Sequence, residues 1–177
     1  MDIHIDQDGM LQGARYIASP NCDERPQGAS IELIVIHNIS LPPREFGGND
    51  VMELFTNSLD PQAHPYYQGI YRQQVSAHFF IRRDGELIQF VPCSKRAWHA
   101  GVSKWHDRER CNDFSIGIEL EGSDFEPFTD MQYQVLNQLL TALKTTYPIL
   151  GVTGHSDIAP GRKTDPGPFF DWKRVAL

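Results

Sequence analysis

Ile31–His37, read as IELIVIH, is the stretch that decides the fold. A short apolar run dominated by β-branched residues is the pattern of a strand buried on both faces. His37 closes it. The following segment, 38–49, carries two prolines and two glycines and reads as a loop. The imidazole therefore stands where a strand hands over to a loop, the place where an α/β scaffold presents side chains to a cleft.

Outward from this strand, Ser115–Leu120 alternates, with Ile116, Ile118 and Leu120 on one face and Ser115, Gly117 and Glu119 on the other. Val75–Arg82 and Glu86–Val91 flank Arg83-Asp84-Gly85, where Asp-Gly signals a hairpin. Asp50–Asn57 has a short helical pattern ended by the Asp60-Pro61 turn. Thr129 and Gln132 have capping-box spacing, and Val135, Leu136, Leu139, Leu140 and Leu143 then recur at helical intervals until Pro148. Ile149–Thr153 reads as a last strand that delivers Gly154-His155 to a loop, and Asp171 as the cap of a short final helix. Residues 1–30 are rich in turn formers and read as an irregular segment packed on the rest. Strands and helices interleave without strict βαβ order, which predicts a mixed α/β (α+β) fold: a single domain, 1–177, with a central mixed sheet flanked by helices.

A chain of 177 residues has room for one sizeable core, and 40% hydrophobic with 22% charged residues exclude the disordered and collagen-like classes. Sixteen Lys and Arg against 23 Asp and Glu give a formal charge of -7, which argues against a nucleic-acid surface. No apolar run reaches the roughly 18 residues of a membrane helix. MDIHIDQDGMLQGARYI lacks a positive region followed by an apolar core, so the expectation is a chain without an export signal. Three widely spaced cysteines, Cys22, Cys93 and Cys111, read as reduced thiols. Cytoplasmic location and a monomer are the expectations.

Seven histidines offer themselves as ligands: His4, His37, His64, His78, His99, His106 and His155. His37 and His155 both follow strands, and the loop after His155 holds Lys163 and Asp165. Two imidazoles and a carboxylate make a three-ligand zinc set that leaves a position for water. Spacing alone leaves the alternative open: a strand-end histidine and a loop histidine bonded to backbone. Glu119 lies in an apolar strand beside small residues that leave room for a substrate or water. It is either a base with a raised pKa or a carboxylate that pairs with an arginine or faces solvent at a sheet edge, as Glu121 is expected to do. His78 reads as a satisfied core histidine. His99, beside Trp98, either lines the cleft or packs.

Taken together, IVIHNISLPPREFGG, LDPQAHPYY, VSAHFFIRRDGELIQFVP, KRAWHAGVS, RERCNDFSIGIELEGSD and GHSDIAPGRKTDPGPFFDW resemble the AmpD-type 1,6-anhydro-N-acetylmuramoyl-L-alanine amidases. These belong to a wider zinc amidase family that includes peptidoglycan-recognition proteins. The resemblance runs from about residue 15 onward. It implies zinc held by His37, His155 and Asp165, a catalytic carboxylate at Glu119 and a cationic helper at Lys163. It also implies substrate contacts at Asn38, Arg110 and the Ala159-Pro160 turn, to which His99 is added as a cleft-lining residue. Some relatives carry an arginine where this chain has Gln74.

The implied activity is hydrolysis of the amide between the lactyl group of muramic acid and L-alanine in small muropeptides, for peptidoglycan recycling. Two rivals stand beside it. One is a non-catalytic muropeptide-binding module, although such modules lose a metal ligand. The other is a cysteine hydrolase using Cys111, which no motif ties to a histidine.

Overall fold

A computed structural model describes residues 3–176. Met1, Asp2 and Leu177, which the one-domain expectation includes, lie outside the described residues. Ten strands alternate with three α-helices: β1 (Arg15–Tyr16), β2 (Cys22–Glu24), β3 (Leu33–Ile39), α1 (Asp50–Phe55), β4 (Phe79–Ile81), β5 (Leu87–Gln89), β6 (Lys95–Ala97), β7 (Lys104–Trp105), β8 (Arg108–Glu109), β9 (Ser115–Glu121), α2 (Asp130–Thr146), β10 (Gly151–Gly154) and α3 (His155–Ile158). Short 3-10 turns occupy Pro65–Gly69, Cys111–Asp113 and Trp172–Arg174, the last capped by Asp171 as expected.

Six strands form one sheet in the order β1-β5-β4-β9-β3-β10. The β4–β5 hairpin is antiparallel, and the other pairings are parallel. The mixed sheet and flanking helices of the sequence reading are thus found in a single-domain fold. Gly85, at a positive φ of 89°, makes the hairpin turn. The hairpin strands are shorter than the hydrophobic pattern suggested. Ser76 donates its N–H to the Trp98 carbonyl, away from the hairpin, and His78 donates to Gly117 of β9.

The period-2 pattern sorts the central strands onto two faces. Ile34 and Ile36 of β3, Phe79 and Ile81 of β4, and Ile116, Ile118 and Leu120 of β9 meet Leu136, Leu139, Leu140 and Leu143 of α2 in one core. The α2 capping box is complete: Thr129 accepts from the Gln132 N–H, and Gln132 accepts from the Thr129 N–H. The opposite face carries Leu33, Val35 and Phe80, which pack with Phe114, Ile158 and the α1 side chains. His37 and Glu119 share this second face.

Residues 3–30 are less irregular than expected. Tyr16 joins the main sheet beside Gln89, and β2 pairs with β6. Arg25 is half-buried and donates to the carbonyls of Cys93, Asn112, Asp113 and Ser115. Burial pushes its guanidinium down to about 10. Glu121, expected to face solvent at a sheet edge, is instead buried. It accepts from the N–H groups of Gly47 and Arg83 and so ties the loop after β3 to the hairpin.

Candidate active site

Register explains how residues far apart in sequence converge. His37 lies beside Glu119 in the parallel β3–β9 pair. Gly154 lies beside Ile36 in β10–β3, so the next residue, His155, comes level with His37. All three strands run the same way, and these residues emerge at their carboxyl ends, where open α/β sheets bind ligands. Asp165 arrives from outside the sheet, on a loop held by the Ser156 N–H, which donates to the Asp165 carbonyl. Asn38 Nδ2 donates to the Pro166 carbonyl and to Asp124, and Thr164 donates to the same Asp124 carboxylate.

The Nδ1 atoms of His37 and His155 are 3.0 Å apart, and Asp165 Oδ2 lies 2.9 Å from the first and 3.2 Å from the second. His155 Nε2 donates to the Ala100 carbonyl at 3.0 Å, because a carbonyl only accepts. A neutral His155 therefore turns an unprotonated Nδ1 toward a carboxylate oxygen. Two lone pairs facing each other at this distance need a cation between them. The donor set fits a metal ion, and His37, His155 and Asp165 form a group that could hold one. Both imidazoles are buried. Burial pushes His37 below the usual imidazole range, against the pull of Asp165. Burial would raise Asp165, but the His155 and His37 imidazoles beside it outweigh that and hold the carboxyl well below the usual range.

Glu119 is 8% exposed, and its Oε2 is buried without a hydrogen-bond partner among the described residues. Burial, reinforced by Asp165 and opposed by Lys163, raises its pKa well above that of an ordinary glutamate. An orphaned carboxylate oxygen costs free energy in the folded state, which marks it as a functional group. His37, Glu119, His155, Lys163 and Asp165 all line one cleft of about 470 Å³. Its walls add Trp98, Tyr66, Phe125 and Arg44, none singled out from the sequence except Trp98 as a neighbour of His99.

The other candidates divide. Asn38 and His99 line this cleft, whereas Arg110 and Ala159 line a neighbouring groove that shares Arg162 with it. Both Asn38 amide hydrogens serve the Asp124 and Pro166 acceptors, which makes it a support of the loop. Arg110 is exposed and pairs with Asp113 at 3.3 Å. Gln74 does not line the cleft, although Gln73 and Val75 do. Arg162 donates to the carbonyls of Ala100 and Val102. The room that Ser115 and Gly117 were expected to leave beside Glu119 is largely filled by the His99 ring. A Cβ on Gly117 would sit 2.4 Å from its Cγ. His78 is a satisfied core histidine: Nδ1 accepts from the Gly117 N–H, and Nε2 donates to the Lys95 carbonyl. Cys111 is buried, with its thiol pushed up by burial. A protonated thiol is a poor nucleophile.

The N-acetylmuramoyl-L-alanine amidase family model matches residues 27–168. The 1,6-anhydro-N-acetylmuramyl-L-alanine amidase AmpD of Citrobacter freundii is 59% identical over 169 residues, covering 94% of this chain and 90% of that protein. AmpD of Escherichia coli (strain K12) is 58% identical, covering 97% of this chain and 94% of its own. The crystal structure of a selenomethionine AmpD derivative superimposes with a TM-score of 0.93 over 95% of both chains, at 59% identity. A complex of the amidase AmiD from E. coli with anhydro-N-acetylmuramic acid-L-Ala-D-gamma-Glu-L-Lys matches at 0.61 and 29% identity, over 99% of this chain and 65% of that one. With the family's model spanning most of its length and near-full-length relatives above half identity, the chain belongs to the N-acetylmuramoyl-L-alanine amidases.

Proposed function

We propose that residues 1–177 work as one zinc amidase domain. It hydrolyses the amide between the lactyl carboxyl of 1,6-anhydro-N-acetylmuramic acid and L-alanine in small muropeptides released during cytoplasmic wall recycling. The observation that carries this reading is the juxtaposition of an orphaned, buried Glu119 oxygen with a three-atom ligand set in one open cleft. The substrate class follows from what AmpD relatives are named for and from the muropeptide seated in AmiD.

His37, His155 and Asp165 would hold the ion. Two nitrogens and one oxygen suit zinc, whose ligand atoms in tetrahedral sites are set about 3.3 Å apart by bonds of ~2.0–2.1 Å. Bound there, zinc acidifies a water and polarises the scissile carbonyl. Glu119 takes the proton of the attacking water at its free Oε2 and returns it to the departing alanine nitrogen. A glutamate with a raised pKa is suited to both halves of that exchange. Lys163, on the same cleft wall, offsets the negative charge that grows on the carbonyl oxygen. Asn38, Asp124 and Thr164 keep the Lys163–Asp165 loop against the sheet. The tripeptide class of ligand fits a cleft walled by Trp98 and Tyr66 for apolar sugar and peptide faces.

The test is a product assay. Zinc-loaded protein incubated with an anhydromuropeptide is expected to release free peptide, seen by mass spectrometry. Binding of that ligand without any release would instead establish the non-catalytic module.

A further inference from the structure

Each metal-binding imidazole has a second nitrogen, and the partner of that nitrogen fixes which one carries the proton. Here both partners belong to one dipeptide. His37 Nε2 lies 2.9 Å from His99 Nδ1, and His155 Nε2 lies 3.0 Å from the Ala100 carbonyl. The dipeptide is itself clamped. Asn112 Oδ1 accepts from the His99 N–H at 3.2 Å and from the Ala100 N–H at 2.8 Å. The far side of the His99 ring is held by Ser115 Oγ, 3.1 Å from Nε2, and its near face rests on Gly117, where no side chain fits. The His99 and His37 rings meet edge to face at 87°.

We propose that His99-Ala100, gripped by Asn112 and seated on Gly117, is the positioning element of the site: it sets the tautomer of both ligand histidines at once. Resting on the zinc reading above, it removes His99 from the substrate contacts. Both of its nitrogens are engaged within the protein. The relay runs from His37 Nε2–H to His99 Nδ1, and from His99 Nε2–H to Ser115 Oγ. It leaves the Nδ1 lone pair of His37 facing His155 and Asp165. The reverse relay, with the proton on His99 Nδ1, would protonate His37 Nδ1 and block a ligand position. Asn112 touches neither ligand histidine, yet it holds the backbone that supplies both partners.

Two measurements test this. In zinc-loaded protein labelled with nitrogen-15 histidine, long-range proton–nitrogen correlation spectra are expected to show His37, His99 and His155 as Nε2–H tautomers. A proton on His99 Nδ1 in the loaded protein overturns the proposal, with no variant needed. In parallel, zinc affinity is read by competition with a chromophoric chelator. Asn112→Ala and His99→Leu are expected to weaken it about 10–100-fold, and Asn112→Asp, which keeps the acceptor oxygen, to restore most of the loss. Unchanged zinc affinity in both weakened variants, with only KM altered, returns His99 to the substrate contacts and defeats the clamp alone. A wild-type chain that takes up no zinc in the same titration defeats the clamp together with the zinc reading beneath it.

Discussion

Glu119 concentrates the conflict between stability and chemistry in one side chain. Burial raises its pKa, so between the ordinary glutamate range and that raised value the folded state holds a proton that the unfolded state has lost. Stability from this group is therefore present at low pH and lost as pH rises through the folded value. Glu119→Gln removes that loss. At neutral pH the metal-free variant is expected to melt no lower than wild type, and its melting temperature should rise relative to wild type as pH increases from acid to neutral. Its turnover is expected to fall about 10²–10⁴-fold, the usual share of a general acid–base group. A variant that keeps its activity, or melts well below wild type, would contradict the role assigned here. Wild-type activity should fall on the acid side at a higher pH than an ordinary carboxylate would give, and a pH–rate profile measures this. At this scale the sequence was only partly legible. His37 and Glu119 stood out because each interrupts an apolar strand. Pairing His37 with an aspartate 128 positions away needed the family resemblance, since no spacing rule spans that distance. The contribution of Gly117 was invisible, because a glycine that seats an imidazole ring looks the same in sequence as one that leaves a hole.

Among the elements, α2 is the clearest case of local sequence deciding local structure. Its cap, its apolar stripe and its stop before Pro148 were all readable, because each depends on residues within a turn or two of one another. Thr129 does double duty: its hydroxyl caps the helix and donates to the Arg83 carbonyl of the hairpin. Thr129→Ala is expected to cost about 1–2 kcal/mol in chemical denaturation, with zinc affinity unaltered because the cap lies on the face away from the cleft. The short strands β1 and β2 were not readable. A two- or three-residue strand has no period to detect, and these exist because β5 and β6 offer edges to pair with.

For the molecule as a whole, the mixed sheet followed from interleaved elements, but the strand order did not. Placing β9 between β4 and β3 is a long-range choice settled by packing, and it alone brings Glu119 beside His37. The candidate metal site joins the sheet to the loop after α3, so ligand binding should act on global stability. Loading with zinc is expected to raise the melting temperature, by about 4 kcal/mol of added stability when free metal is 1,000 times Kd, and chelation to reverse it. In His155→Ala the zinc-induced shift should vanish, and calorimetry with and without chelator checks both.

The loop bearing Asp165 has a consequence for how the active molecule comes into being. On the ribosome, His37 and then Glu119 emerge long before the aspartate, so a growing chain can shape the cleft walls while still chemically idle. Asp165→Ala would leave a similar product. It would keep the cleft walls at Trp98 and Tyr66 but lack the third ligand proposed for the ion, and so is expected to hold muropeptide without cutting it, a sequestering competitor for its own substrate.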